Sequence, residues 1–103
     1  MAVIKVDFKQ AHELLEKNKN ILLFDVREEE EYITGHARGA ELFTLADINA
    51  ASAEEMIPSK DVPVMVYCRS GARSREAAQI LSGLGYETVY DIGGLIGWPY
   101  GLD

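Results

Sequence analysis

A single cysteine, Cys68, lies in the segment VYCRSGARSR, residues 66–75, in a setting suited to nucleophilic chemistry. It follows an apolar run, and three arginines come within the next seven positions: Arg69, Arg73 and Arg75. Positive charge near a thiol favours the thiolate, which is the nucleophilic form of cysteine. The segment therefore predicts a reactive cysteine rather than the small buried hydrophobic residue that most free cysteines are.

The residues after Cys68 also predict an anion-binding loop. A chain that leaves a buried strand and turns directly into a helix points several backbone N–H groups inward, which forms a nest for an anion. Gly71 can take the positive φ that this turn requires. A helix that begins at about Ser74 would direct its positive end at the same point, and the side chains of Arg69 and Arg73 add full charges.

Composition and charge exclude several classes of protein. A length of 103 residues predicts one domain, residues 1–103. The net charge of −7 disfavours a nucleic-acid partner, and no apolar run approaches the roughly 18 residues of a membrane span. The first ten residues lack a secretory apolar region, so we expect a cytoplasmic protein.

The cysteine and histidine content argues against a disulfide or a structural metal site. One cysteine cannot form an internal disulfide, and His12 and His36 are not at the spacing of metal ligands. We therefore expect no metal and no cofactor, and any chemistry at Cys68 is that of a lone thiol.

Short apolar runs alternate with amphipathic segments along the chain. Strands are predicted in ILLFDV (21–26), GAELFTL, VPVMVY (62–67) and ETVYD, and helices in VDFKQAHELLEKNKN, REEEEYITGH, ADINAASAEEMIPSKD and SREAAQILSGLGY. This alternation predicts an α/β fold with a parallel sheet and helices on both faces. Ligands of such sheets bind at the carboxyl ends of the strands, where we expect Asp25 or Arg27, Cys68, and Gly93 and Gly94 to meet.

Several other residues receive structural interpretations. Asp7 and Gln10 are spaced as a capping box, and Gly35 and Gly85 end helices. We expect Asp25 to accept hydrogen bonds from nearby loops and Arg27 to pair with an acid, both mainly in support of the fold. Gly93 and Gly94 would let the final loop approach the cysteine loop closely.

Further expectations concern polar and aromatic side chains. His36 is interpreted as a turn residue whose ring bonds to backbone, and His12 as an exposed helix residue. The glutamates at 28–31 are typical of a solvated helix start, and Trp98 and Tyr100 of a tail anchored on the core.

Three motifs, in order, resemble those of the rhodanese-type sulfurtransferases. The active-site loop of that family is similar to VYCRSGARS. Its Asp-Val-Arg, Glu-Tyr/Phe, Gly-His and Gly-Ala signature is similar to LLFDVREEEEYITGHARGA, and its closing Gly-Gly and Trp segment to GLGYETVYDIGGLIGW. The resemblance covers about residues 5 to 98.

The resemblance implies a five-stranded parallel sheet and a two-step reaction. Cys68 would take the outer sulfur of thiosulfate or of a persulfide donor and pass it to cyanide, a small thiol or a protein thiol. The persulfide anion would be stabilised by the loop amides, and the side chains of the first and last loop residue would guide the anionic donor. The loop consists of Arg69, Ser70, Gly71, Ala72 and Arg73.

Three departures from the family pattern stand out. Ser70 occupies a position where certain thiosulfate-using members carry lysine, which puts thiosulfate as the natural donor in question. Ala37 and Arg38 replace a frequent Ile-Pro, and a short tail that contains Pro99 predicts a shortened last helix.

Two other functions remain open at this stage. Phosphatases and arsenate reductases of this fold resemble Cys-x5-Arg, one residue longer than the Cys-x4-Arg spacing from Cys68 to Arg73. A persulfide-carrying or regulatory binding module is the second alternative, although inactive versions usually lack the loop cysteine.

Overall fold

Five parallel strands form one sheet in the order β1-β5-β4-β2-β3. The computed structural model describes residues 3–103, which contain these strands, four α-helices and one 3-10 helix. The strands are β1 Val3–Lys5, β2 Leu22–Asp25, β3 Glu41–Leu42, β4 Val64–Cys68 and β5 Val89–Gly94. The helices are α1 Phe8–Lys17, α2 Glu29–Ile33, the 3-10 turn Leu45–Asp47, α3 Ala50–Met56 and α4 Ala72–Gly83. The expected α/β fold with a five-stranded parallel sheet is confirmed.

The central strand β4 is buried along its whole length because helices cover both faces of the sheet. Its alternate side chains enter two separate apolar clusters. Val64, Val66 and Cys68 pack with residues of α3 and α4, whereas Met65 and Tyr67 pack with residues of α1 and of the chain's last segment. The unbroken apolar run in the sequence is the consequence of this two-sided burial.

Most helix boundaries follow the local signals in the sequence. The Asp7 carboxylate accepts a hydrogen bond from the Gln10 amide at 2.8 Å, and the Gln10 side chain accepts one from the Asp7 amide at 2.9 Å, so the capping box is confirmed. Gly85, which follows the C-cap residue Leu84 of α4, has a φ of +101°. Within residues 3–103, none of the helices combines the length and apolar character that a membrane crossing requires.

Two features of the fold differ from the sequence pattern. The helix expected at about Ser74 begins at Ala72 instead, because the Arg75 amide already donates to the Gly71 carbonyl at 3.1 Å. Strand β1 was not predicted from periodicity. Its three residues are exposed at the edge of the sheet, so they carry no alternation of apolar and polar residues.

The last residues pack on the body of the protein without forming a helix. Trp98 contacts Phe8 edge-on with ring centroids 5.3 Å apart, which confirms that this segment is anchored on the core. Tyr100 stacks on His12 at 3.8 Å, so the expectation of an exposed His12 was wrong; the ring is half-buried between helix and tail. Leu102 forms a bridge with Ala37, and residues 95–103 contain no helix, whereas the sequence predicted a shortened one.

A buried hydrogen-bond network around Asp25 joins β2, β4 and the loop after α2. The Tyr67 hydroxyl donates to Asp25 at 2.8 Å and accepts from the Ala37 amide at 3.0 Å. The Arg27 side chain donates to both oxygens of the same carboxylate at 2.6 to 3.0 Å and to the Gly35 carbonyl at 2.7 Å. The contacts expected of Asp25 and Arg27 are thus present, and the hydrogen bond to Asp25 raises the pKa of Arg27.

Removal of the Tyr67 hydroxyl tests this network. We expect Tyr67→Phe to lower the free energy of unfolding by about 1–3 kcal/mol, because the buried Ala37 amide loses its acceptor and the Asp25 carboxylate, still held by Arg27, loses one hydrogen bond. Urea denaturation measures the change. Tyr90→Phe is the matched control, because the Tyr90 hydroxyl makes no hydrogen bond within residues 3–103. Equal losses in the two variants would contradict a structural role for the network.

Candidate active site

The parallel register brings the expected site residues to one edge of the sheet. Cys68 is the last residue of β4 and pairs with Gly94, while Tyr67 pairs with both Gly93 and Asp25. A register shift between Val66 and Tyr67 inserts one extra residue into β5 and places the glycine pair opposite the cysteine. The sequence-based expectation that these strand ends meet is therefore correct.

The loop after Cys68 curls back over the thiol. The Gly71 amide donates a hydrogen bond to the Cys68 sulfur at 2.9 Å. Gly71 has a φ of +109°, a left-handed conformation that a side chain would disfavour. The Ser74 hydroxyl donates to the Gly71 carbonyl at 3.1 Å and so holds the turn against the first residues of α4. Cys68 and Ser74 are both fully buried.

Burial and hydrogen bonding act in opposite directions on the Cys68 thiol. Burial by itself raises the pKa of Cys68, since it disfavours the charged form. Interactions with the backbone and side chain of Ser74 and with the amides of Gly71 and Ser70 outweigh it, so the pKa of Cys68 is lowered. The loop amides therefore favour the thiolate directly. Ser74, which the sequence indicated only as a helix start, is the residue that contributes most to lowering the pKa of Cys68.

The glycine pair at the end of β5 packs against the cysteine loop. A methyl group on Gly94 would lie 2.5 Å from the Arg69 carbonyl oxygen, closer than real contacts allow. The Leu95 amide donates to the Cys68 carbonyl at 3.0 Å, which fixes this approach. The expected backbone role of these glycines, close contact with the loop, is present in the structure.

Of three arginines near the site, two form ion pairs with acidic side chains and one does not. Arg73 forms a bidentate ion pair with Glu31, with N–O distances of 2.6 and 3.0 Å. Arg27 is paired with Asp25 in the same way. Arg69 is exposed and forms no ion pair within residues 3–103.

The structure corrects the interpretation of residues 28–31 as a solvated charge run. Glu31, the third residue of α2, is half-buried and turns towards the cysteine loop, where Arg73 lowers its pKa to about 2. Its partner lies 42 positions away, so no local signal in the sequence indicates the pair. Glu31 is the main site residue that sequence reasoning missed.

A groove of about 310 Å³ opens beside the loop. Its charged lining consists of Arg27, Glu31 and Arg69, and the remainder is Thr34, Gly35, Leu95, Ile96 and Leu102. A small anionic molecule in this groove would lie next to the residue that follows Cys68. Residues 3–103 contain no cluster of three or more His, Cys, Asp and Glu side chains placed to hold a metal ion.

Comparison with known proteins identifies relatives along nearly the whole chain. Residues 7–99 match the family model of the rhodanese-like domain. The thiosulfate sulfurtransferase GlpE of Pseudoalteromonas translucida is 32% identical over 99 residues, which cover 95% of this chain and 90% of the relative. The thiosulfate sulfurtransferase PspE of Escherichia coli is 39% identical over 71 residues, 69% of this chain and 67% of the relative.

The fold is likewise similar to solved structures. The rhodanese-like domain of the Anabaena protein Alr3790 superimposes with a TM-score of 0.85. The match covers 99% of this chain and 80% of that one at 22% identity, so it shows a shared fold.

Substitution of Gly94 tests the packing of β5 on the loop. We expect Gly94→Ala to push the Arg69 carbonyl away, to cost about 1–3 kcal/mol of unfolding free energy and to raise the pKa of Cys68 as the loop amides move. The rate of thiol alkylation as a function of pH measures the pKa. Gly83→Ala is the control, because outside its chain neighbours and the backbone of its own helix no atom lies within 4 Å of the added methyl group. An unchanged thiol pKa in Gly94→Ala would contradict this view of the loop.

Proposed function

The chain belongs to the rhodanese-like domain family, and we propose that it is a sulfurtransferase that carries a sulfane sulfur on Cys68 as a persulfide. The observation that carries the proposal is the 2.9 Å hydrogen bond from the Gly71 amide to the Cys68 sulfur, within a loop that lowers the pKa of this thiol. Relatives named thiosulfate sulfurtransferase, at 32% and 39% identity, support the same activity.

The proposed reaction has two displacements at sulfur. The Cys68 thiolate attacks the outer sulfur of the donor, a new S–S bond forms, and the donor's own bond to that sulfur breaks. The leaving group departs with the electron pair, as sulfite from thiosulfate or as a thiolate from a persulfide. An acceptor thiolate or cyanide then attacks the outer sulfur of the Cys68 persulfide, and the Cys68 thiolate is regenerated.

The loop backbone supports both steps by electrostatic stabilisation. Amides of the loop from Arg69 through Ser70, Gly71 and Ala72 to Arg73, with that of Ser74, would surround the anionic outer sulfur of the persulfide. These donors are held in place before the reaction, so they need no rearrangement as charge moves from one sulfur to the next. A histidine base is not required, because the thiolate forms in its electrostatic setting.

The length of the loop favours sulfur transfer over phosphate chemistry. Four residues separate Cys68 from Arg73, whereas the phosphatase-like pattern has five. A smaller ring of donors suits one sulfur atom on the thiol better than a phosphoryl group. The presence of the loop cysteine also argues against a purely regulatory module.

The donor is proposed to be a small anionic sulfur compound, thiosulfate or a persulfide. The acceptor must come from outside this chain, since it contains one cysteine and no second thiol to take the sulfur. A small thiol or a protein thiol fits this requirement in a cell, and cyanide in an assay. A reducing cytoplasm, which keeps thiols free, is the compartment we propose.

Mass spectrometry of the intact protein tests the proposed intermediate. After incubation with thiosulfate or a polysulfide, we expect a gain of one sulfur atom that cyanide or excess thiol removes. Cys68→Ser should gain none. A wild-type protein that takes up no sulfur from any donor would refute the proposed activity, and comparable hydrolysis of an aryl phosphate would favour the phosphatase alternative.

The pH dependence of persulfide formation tests the origin of the thiolate. Because the folded-state pKa of Cys68 is lowered, the rate should rise with pH and level off below the ordinary pKa of a thiol. Ser74→Ala removes a side chain that lowers the thiol pKa and holds the Gly71 carbonyl, so the inflection should move to higher pH and the rate at neutral pH should fall by up to about tenfold. Ser82→Ala, at another buried serine of α4, should leave the profile unchanged. Coincident profiles for wild type and Ser74→Ala would contradict the assigned cause.

A further inference from the structure

We propose that Glu31 determines which donor charge the site accepts, by neutralising Arg73 so that singly charged sulfur donors are favoured over dianionic ones. The proposal rests on the sulfurtransferase function proposed above and concerns a residue outside the cysteine loop. It assigns to Glu31 a positioning and specificity role, without contact with the reacting sulfur.

The ion pair between Glu31 and Arg73 has the geometry of a fixed interaction. Both guanidinium Nη atoms face both carboxylate oxygens, at 2.6 and 3.0 Å. One of those oxygens also accepts a hydrogen bond from the Glu28 amide at 3.0 Å, which ties the carboxylate to the start of α2. Only about a third of either side chain is exposed, so solvent screens the pair incompletely.

The pair changes the charge that a donor meets in the groove. Arg27 is compensated by Asp25, and Arg73 by Glu31. Arg69 is then the one arginine of the three without an acidic partner within residues 3–103. These five side chains, Arg27, Asp25, Arg73, Glu31 and Arg69, thus sum to a single positive charge.

The net charge near Cys68 affects how readily an anionic donor approaches the thiolate. The donor is an anion, and it must approach a thiolate, so every negative charge on the donor adds repulsion that nearby cations must offset. The Glu31 carboxylate itself lines the groove and repels an incoming anion. The thiolate and the Glu31 carboxylate each repel a dianion such as thiosulfate about twice as strongly as a monoanion.

The Glu31 carboxylate stays charged over the pH range in which the protein would work. Arg73 lowers the pKa of Glu31 to about 2, so protonation removes the charge only in strong acid. The neutralisation of Arg73 is therefore a constant property of the site at neutral pH.

Glu31→Gln removes the charge and keeps two of the three hydrogen bonds. An amide oxygen in the place of Oε1 can still accept from Arg73 Nη1 and from the Glu28 amide, whereas the bond from Nη2 to Oε2 is lost, and the charge of Arg73 is left uncompensated. We compare two donors that differ in charge: thiosulfate, a dianion, and methanethiosulfonate, a monoanion in which a methyl group replaces one oxygen. Each gives the same Cys68 persulfide, with sulfite or methanesulfinate as the leaving group.

The measured quantity is the ratio of kcat/KM for thiosulfate to kcat/KM for methanethiosulfonate. We expect this ratio to rise about three- to fivefold in Glu31→Gln, the range set by a partly exposed charge pair. Glu30→Gln is the matched control. It removes the same charge from an exposed position on α2 without an ion pair to Arg73, so its ratio should equal that of the wild type. Glu31→Asp, which retains the carboxylate, should also stay near the wild-type ratio.

Two results would overturn the proposal: an unchanged ratio in Glu31→Gln, or an equal rise of the ratio in Glu30→Gln. An unchanged ratio in which both donors lose activity by the same factor would mean that Glu31 only holds Arg73 in place. Failure of the wild type to accept sulfur from either donor would instead contradict the sulfurtransferase function, so the two failures are distinguishable.

Discussion

The site depends on one opposition, between the burial of Cys68 and the hydrogen bonds that its sulfur receives. A thiol inside an apolar cluster is ordinarily protonated and inert. Interactions with Ser74, Gly71 and Ser70 lower the pKa of the thiol instead. They can do so because the conformation of the loop that carries these residues is tightly constrained. The loop must leave a buried strand, turn at a glycine with positive φ and enter α4 within a few residues.

The rest of the fold holds this loop in place from two sides. On one side, β5 brings Gly94 against the Arg69 carbonyl. This contact is possible because glycine has no side chain and because the register of the sheet shifts by one residue in β5. On the other side, Glu31 ties Arg73 to α2. The charge that remains free is carried by Arg69 at the edge of the groove. The loop backbone thus stabilises the anionic sulfur, and the arginine side chains contribute less than their number in the sequence suggests.

Local patterns in the sequence predicted what depends on local physics. The capping box at Asp7, the positive φ of Gly71 and the buried strand before Cys68 each follow from a few neighbouring residues. The meeting of Cys68 and Gly94 at one edge follows from parallel pairing. Periodicity missed β1, which is short and exposed, and it gave α4 a start two residues late.

Contacts between distant segments were beyond such reasoning. Glu31 contacts Arg73, and Asp25 contacts Tyr67, in each case across 42 positions of sequence. A run of glutamates has the same sequence whether it faces water or an arginine.

The most direct measurement of the central claim is a high-resolution crystal structure of the protein after reaction with a sulfur donor. The account predicts one extra sulfur atom bonded to Cys68 and lying within hydrogen-bond distance of the amides around Gly71. An unmodified Cys68 beside a modified residue elsewhere, or an adduct turned away from those amides, would contradict it.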